Sequence, residues 1–143
     1  MKTDWNALQA DSELQPLVVV PTRVQLFMFS AATWNRHHVH YSRDAAVSEG
    51  LPDVVVHRAL LGDFFARLVT DWVGEAGDIR QLNWRVLQSA LPDRPLRCIG
   101  KVVSKSEEGA RKFASCALEI QNEEKQVIAA GDAQVEFFTG SAP

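Results

Sequence analysis

The sequence predicts an α+β fold: one antiparallel sheet with a single long apolar helix against one face. Three observations predict it. Residues 57–72 carry apolar side chains at Leu60, Leu61, Phe64, Phe65, Leu68, Val69 and Trp72, spaced by three and four along one broad face. Four strand-like segments then follow one another with no helix between them. The chain has 143 residues, 46% hydrophobic and 23% charged, which is an ordinary globular composition and the length of one domain, 1–143.

The elements follow in order. Residues 1–15 are polar with scattered apolar positions and read as a flexible or helical arm. Pro16 and Pro21 bracket LVVV, a short extended stretch. Residues 24–31 (VQLFMFSA) are apolar enough for a buried strand, and periodicity alone leaves a helix open. Residues 33–42 (TWNRHHVHYS) hold three of the four histidines and read as a structured loop, with a short helix over 43–47. Gly50, Pro52 and Asp53 mark a turn, and 54–56 approach the long helix, which Gly74 and Gly77 end. The later strands are 79–87, 96–103, 113–121 and 127–138, the last two joined by NEEK as a hairpin. A sheet wrapped around one apolar helix is the hotdog arrangement.

Composition also excludes function classes. A net charge of -3, from 15 basic and 18 acidic residues, disfavours nucleic acid, whose phosphates need clustered Lys and Arg. No apolar run approaches the ~20 residues of a membrane span, and the first residues lack the apolar core of a secretory signal. Cys98 and Cys116 lie in no metal-type spacing and read as reduced thiols of a cytoplasmic protein.

Two constellations carry chemistry. Asn35, His37, His38 and His40 fall within six residues just ahead of the long helix. An imidazole near its ordinary pKa of about 6.5 gives and takes protons at neutral pH. The second is the start of the helix at His57, Arg58 and Ala59, whose first amides have no intrahelical partners and lie at the positive dipole end. A buried helix start is a site for an oxyanion such as a thioester enolate. The two together suggest a base beside an oxyanion site.

The segment FSAATWNRHHVHYSRDAAVSEGLPDVVVHRALLGDFFARL resembles the signature region of the MaoC-like hydratase/dehydratase family of hotdog proteins. It is most similar to the branch of mesaconyl-CoA-type hydratases and type 2 hydroxyacyl-thioester dehydratases. That branch reads approximately YSA-T-x-N-x-H-R-I-H-Y-D and then EGYPGLVVHGPL. This chain keeps Thr33, Asn35, His37, His40, Tyr41, Glu49, Gly50, Pro52, Val55, Val56, His57 and Leu60. The likeness extends from Phe29 to Phe138, and NEEKQVIAAGDAQVEFF resembles the branch's final hairpin. LVTDWVG at 68–74 also resembles small MaoC-like subunits of steroid side-chain degradation, which work with a partner subunit.

The resemblance implies reversible addition of water to a 2-enoyl thioester, either an enoyl-CoA hydratase or a 3-hydroxyacyl-thioester dehydratase. CoA or an acyl carrier is then the substrate handle, and no cofactor is needed. It implies a pocket between two hotdog domains, in a homodimer or in a heteromer with a second MaoC-like subunit. His40 matches the motif histidine. Asn35 stands where the commoner motif has Asp, and an amide orients water but does not titrate usefully. Proton transfer therefore falls to His40. His57, Tyr41 and the amides of Arg58 and Ala59 are the expected substrate contacts. Arg58 and Asp53 replace glycines of the branch. The Arg58 side chain is expected to narrow the acyl tunnel or to meet a carboxylate or CoA phosphate.

Each assignment has a plainer alternative. His40 reads otherwise as a structural loop histidine, and Asn35 as a side chain capping its own loop. His57 reads otherwise as a helix-start residue satisfying local backbone. A metal at the histidines lacks a carboxylate or Cys at companion spacing. Arg94, Arg97 and Lys101 are candidates for CoA phosphates or a solvated strand edge. For the whole chain, the alternatives are an accessory hotdog subunit that binds acyl-CoA beside a MaoC-like partner, and an acyl-CoA thioesterase.

Overall fold

Thr22, just after Pro21, decides the first half of the chain. In the computed structural model, which describes residues 3–139, its hydroxyl accepts from the Gln25 amide and caps helix α1, Arg23–Thr33. The segment read as a strand at 24–31 is therefore helical. Only Leu26 and Ser30, four apart, are fully buried on it. Its apolar excess is left on the opposite side, where Val24, Phe27 and Met28 are exposed. The fifth strand comes instead from the Pro-bracketed stretch, β1, Leu17–Val19.

A single turn of 3-10 helix at His38–His40 and the short helix α2, Arg43–Ser48, follow. Helix α3, Arg58–Val73, buries Leu60, Leu61, Phe64, Phe65, Leu68 and Val69 on the predicted face. Gly74, at φ 54, ends it in a conformation that favours glycine. Strands β2 (Gly77–Val86), β3 (Leu96–Glu108), β4 (Arg111–Gln121) and β5 (Val127–Phe137) complete the sheet. Its order is β1-β3-β4-β5-β2, antiparallel throughout. Strand β3 runs past the predicted 96–103 because Ser104–Glu108 pairs with Arg111–Ser115 through backbone alone, with solvated side chains that hide the strand period.

Helix α3 packs across β2, β3, β4 and β5. The inward positions of β4 alternate as Ala114, Cys116, Leu118 and Ile120, with Phe113 buried out of phase. Both cysteines are buried and unpaired, and burial pushes each thiol up to about 12. The arm is docked rather than flexible. Leu14 is 1% exposed, the Asp11 and Leu14 amides donate to the carbonyls of Val102 and Gly100, and Trp5 Nε1 donates to Phe113 O. Its helical part is one 3-10 turn at Trp5–Ala7. Among the described residues no helix is long and apolar enough to cross a membrane.

Strand β2 meets α3 through Trp84. A Cβ on Gly62 would lie 2.3 Å from the Trp84 ring, so only glycine lets helix and ring approach. Gly62→Ala should destabilise the fold by about 1–3 kcal/mol in urea titrations, as overpacking does.

Candidate active site

Helix α1 delivers the histidine loop. It ends in a Schellman turn: Trp34 adopts φ 56, its amide donates to Ala31 O, and the Asn35 amide donates to Ser30 O at 2.9 Å. The chain therefore folds back at Asn35 instead of continuing along the axis. Asn35 Oδ1 then accepts from the His37 amide at 3.2 Å, the loop-capping role, which leaves its Nδ2 as the group for other partners. His37 Nε2 lies 3.2 Å from Glu49 Oε1, which ties the loop to the end of α2.

A small second core holds the loop in place. Val39, Ala46 and Val55 are buried together, with Leu51 and Leu91 packed against them. The Val55 amide donates to Val39 O at 3.0 Å, and Val55 O lies 2.8 Å from His40 Nδ1. A carbonyl only accepts, so Nδ1 of His40 carries the proton and Nε2 keeps the lone pair. Arg23 braces the same junction, with Nη1 2.9 Å from Asp53 Oδ1 and Nε 3.2 Å from Asp93. Its guanidinium holds the Asp53 carboxyl down at about 2.

His40 and His57 are stacked, with ring centroids 3.8 Å apart and planes 20° from parallel. His57 is 1% exposed, its Nε2 lies 2.6 Å from Ser30 Oγ, and Phe29 packs beside it. Burial pushes the His57 imidazole down to about 4, with repulsion from His40 adding to it. For His40, burial lowers the pKa, the Val55 bond opposes that, and His37, 5.7 Å away, reinforces it. Both rings are thus biased toward the neutral form, the one in which Nε2 of His40 can accept a proton.

The structure brings His40 and His57 into one knot at the start of α3. Asn35 and Tyr41 border a neighbouring apolar cleft of about 210 Å³ with Phe27, Ala31 and Trp34, and Ser30 joins the cleft to the knot. The Tyr41 hydroxyl donates to Arg36 O. The helix start differs from its expected burial. Arg58 and Ala59 are exposed in this chain, and no side chain caps α3, so its first amides have no side-chain partner. The Arg58 side chain turns away to β2, donating to Trp84 O at 3.2 Å, while Trp84 Nε1 donates to Arg58 O at 3.0 Å. Lys101 pairs with Asp11 at 2.9 Å, on a strand inside the sheet rather than at its edge. Among the described residues no His, Cys, Asp and Glu cluster could hold a metal ion. Sequence reasoning missed Ser30 as a partner of His57. The signal was its place four residues after Leu26 on a capped helix.

The sequence model of the hydroxyacyl-thioester dehydratase type 2 family matches residues 3–92. No curated protein matches the chain by sequence. Among solved structures, the ChsH1-ChsH2 complex from Mycobacterium tuberculosis is similar, at 19% identity and TM-score 0.80, over 91% of this chain and 98% of that one. So is the (R)-hydratase from A. caviae involved in PHA biosynthesis, at 15% identity and TM-score 0.83, over 92% and 98%. The HadBC (3R-hydroxyacyl-ACP dehydratase) complex from Mycobacterium tuberculosis aligns at 15% identity and TM-score 0.72, over 94% and 99%. At these identities the likeness shows the fold, and that fold is the hotdog.

Two outcomes follow from the geometry. In ¹⁵N spectra of the neutral protein, His40 should show a protonated Nδ1 and a bare Nε2, the reverse of the usual free-histidine tautomer. The second concerns stability. An unfolded imidazole protonates near pH 6.5, whereas folded His57 does so only near 4. Between those values the unfolded state binds the extra proton, so stability falls with falling pH, by about 3 kcal/mol at most. Urea unfolding at pH 7 and 4.5 should show this loss, and His57→Phe should reduce it. The Asp53 contribution is lost lower, as pH falls from about 4 toward about 2.

Proposed function

The chain belongs to the hydroxyacyl-thioester dehydratase type 2 family, and from that premise we propose that it adds water reversibly to a 2-enoyl thioester of CoA or an acyl carrier. The observation that carries this reading is the bond from His40 Nδ1 to Val55 O, which leaves Nε2 as a bare lone pair near the start of α3. In the hydration direction Nε2 takes a proton from water as its oxygen bonds to the β-carbon. Electron density moves to the thioester oxygen, which the uncapped amides of Arg58 and Ala59 stabilise. The imidazolium then returns the proton to the α-carbon, and the enolate collapses to the 3-hydroxyacyl thioester. Asn35, its Oδ1 occupied by the His37 amide, holds the water oxygen through Nδ2. His57 borders this site, and the Tyr41 ring lines the adjoining cleft.

A second reading has this chain working beside a MaoC-like partner. The exposure of Arg58 and Ala59 favours it, because an oxyanion site works best where water is excluded. So does the uncovered apolar row of Val24, Phe27, Met28 and Trp34 on and after α1, from 60% to 74% exposed. The whole chain 1–143 acts as one hotdog unit in both readings.

Purified protein, alone and with any subunit that co-purifies, should consume crotonyl-CoA or a longer enoyl-CoA, seen as loss of enoyl absorbance without thiol release. His40→Ala should lower kcat by ~10²–10⁴-fold. Activity only with a partner that is indifferent to His40→Ala would make this chain an accessory subunit. Thiol release in place of hydration would make it a thioesterase.

A further inference from the structure

Ser30 and His57 are the buried polar side chains among the described residues, and they are bonded to each other beneath His40. His57 Nδ1 is, among the described residues, the buried side-chain polar atom with no hydrogen-bond partner. Leaving such a group unpaired is unfavourable, and a Phe or Leu at the start of α3 would avoid it. The orphan atom is buried within this chain. What distinguishes the His57 ring is its other face, laid flat at 3.8 Å against His40.

We propose that His57 is a positioning residue for the proposed hydration, a neutral plate, anchored through Ser30, that fixes the plane of His40. The inference rests on the His40 reading of the reaction and extends it. The Val55 carbonyl holds one atom of the His40 ring, and a single hydrogen bond limits the ring's swing about Cβ–Cγ without fixing it. A second, planar contact removes that freedom and aims Nε2. The plate must stay uncharged, because an imidazolium at this distance would repel the proton that His40 has to accept. An apolar ring would give the plane but not the anchorage. Ser30 Oγ, at 2.6 Å and itself buried on α1, locks the His57 ring against rotation. The other titratable groups near His40 are His37, 5.7 Å away, and Glu49 behind it, so neither shares the stacked face.

The test compares wild type, His57→Ala, His57→Phe and Ser30→Ala, each checked for fold by circular dichroism. Activity on enoyl-CoA, with any co-purifying subunit present, is read beside an NMR titration of the His40 imidazole. His57→Ala should lower kcat by ~10–100-fold with KM within about threefold, as expected for a misaimed base. It should also raise the His40 titration midpoint by about half a unit or more, because water enters the vacated space. His57→Phe and Ser30→Ala should fall between it and wild type in kcat. Unchanged kcat and midpoint in His57→Ala would overturn the proposal. So would a His57→Phe enzyme as slow as His57→Ala with His40 titrating as in wild type, because His57 would then move a proton itself. An inert wild type whose His40 midpoint still responds to His57→Ala would sink the hydration reading and leave the plate intact.

Discussion

The carbonyl of Val55 is the point on which the site depends. Its amide ties the loop backbone at Val39 and its oxygen receives the His40 proton, so one residue fixes where the imidazole stands and which nitrogen is basic. The bond to His40 sets the basic nitrogen, and the bond to Val39 sets where the ring stands. An unconstrained imidazole samples both tautomers, and a loop without the bond to Val39 would carry the ring elsewhere. Because Val55 lies only two residues before His57, the same bonds set the distance from the base to the first turn of α3.

The rest of the fold holds that junction still. The satellite core of Val39, Ala46 and Val55 removes apolar surface from water beneath the loop, and α2 contributes Ala46 to it. Arg23, at the start of α1, grips Asp53 just before the junction and Asp93 beyond β2. The Schellman turn at Trp34 uses a left-handed residue that is not glycine, a conformation that persists where surrounding structure over-determines it. These contacts converge on one segment, whereas the main core under α3 lies along the sheet. Two replaced glycines of the family pattern now have physical explanations. Asp53 is the carboxylate of the Arg23 clamp, and Arg58 lies over the Trp84 ring at 5.2 Å, out of the path from α3.

Much of this was legible in the sequence. The face of α3, the last four strands and the short helix after Ser42 follow from period and punctuation, since their burial is one-sided. Residues 24–31 misled because their apolar side chains are not all buried. Leu26 and Ser30 point inward while Val24, Phe27 and Met28 do not, so composition suggested a strand where the Thr22 cap dictates a helix. The motif residues His40 and His57 were found, but not that their rings stack, since that contact depends on the turn at Trp34 and the Val39–Val55 pairing. The exposure of Arg58 and Ala59 was also hidden. Apolar periodicity reports which face of a helix is covered and is silent about its first turn.

A base of defined tautomer beside the uncapped start of a buried helix is the physical content of the account, and a bound product shows it most directly. The decisive measurement is a crystal structure of the protein, with any subunit that co-purifies, holding a 3-hydroxyacyl-CoA. The account predicts the 3-hydroxyl within about 3.2 Å of His40 Nε2 and the thioester oxygen at hydrogen-bond distance from the Arg58 or Ala59 amide. A thioester seated away from the start of α3, or a hydroxyl facing any side chain other than His40, would contradict it.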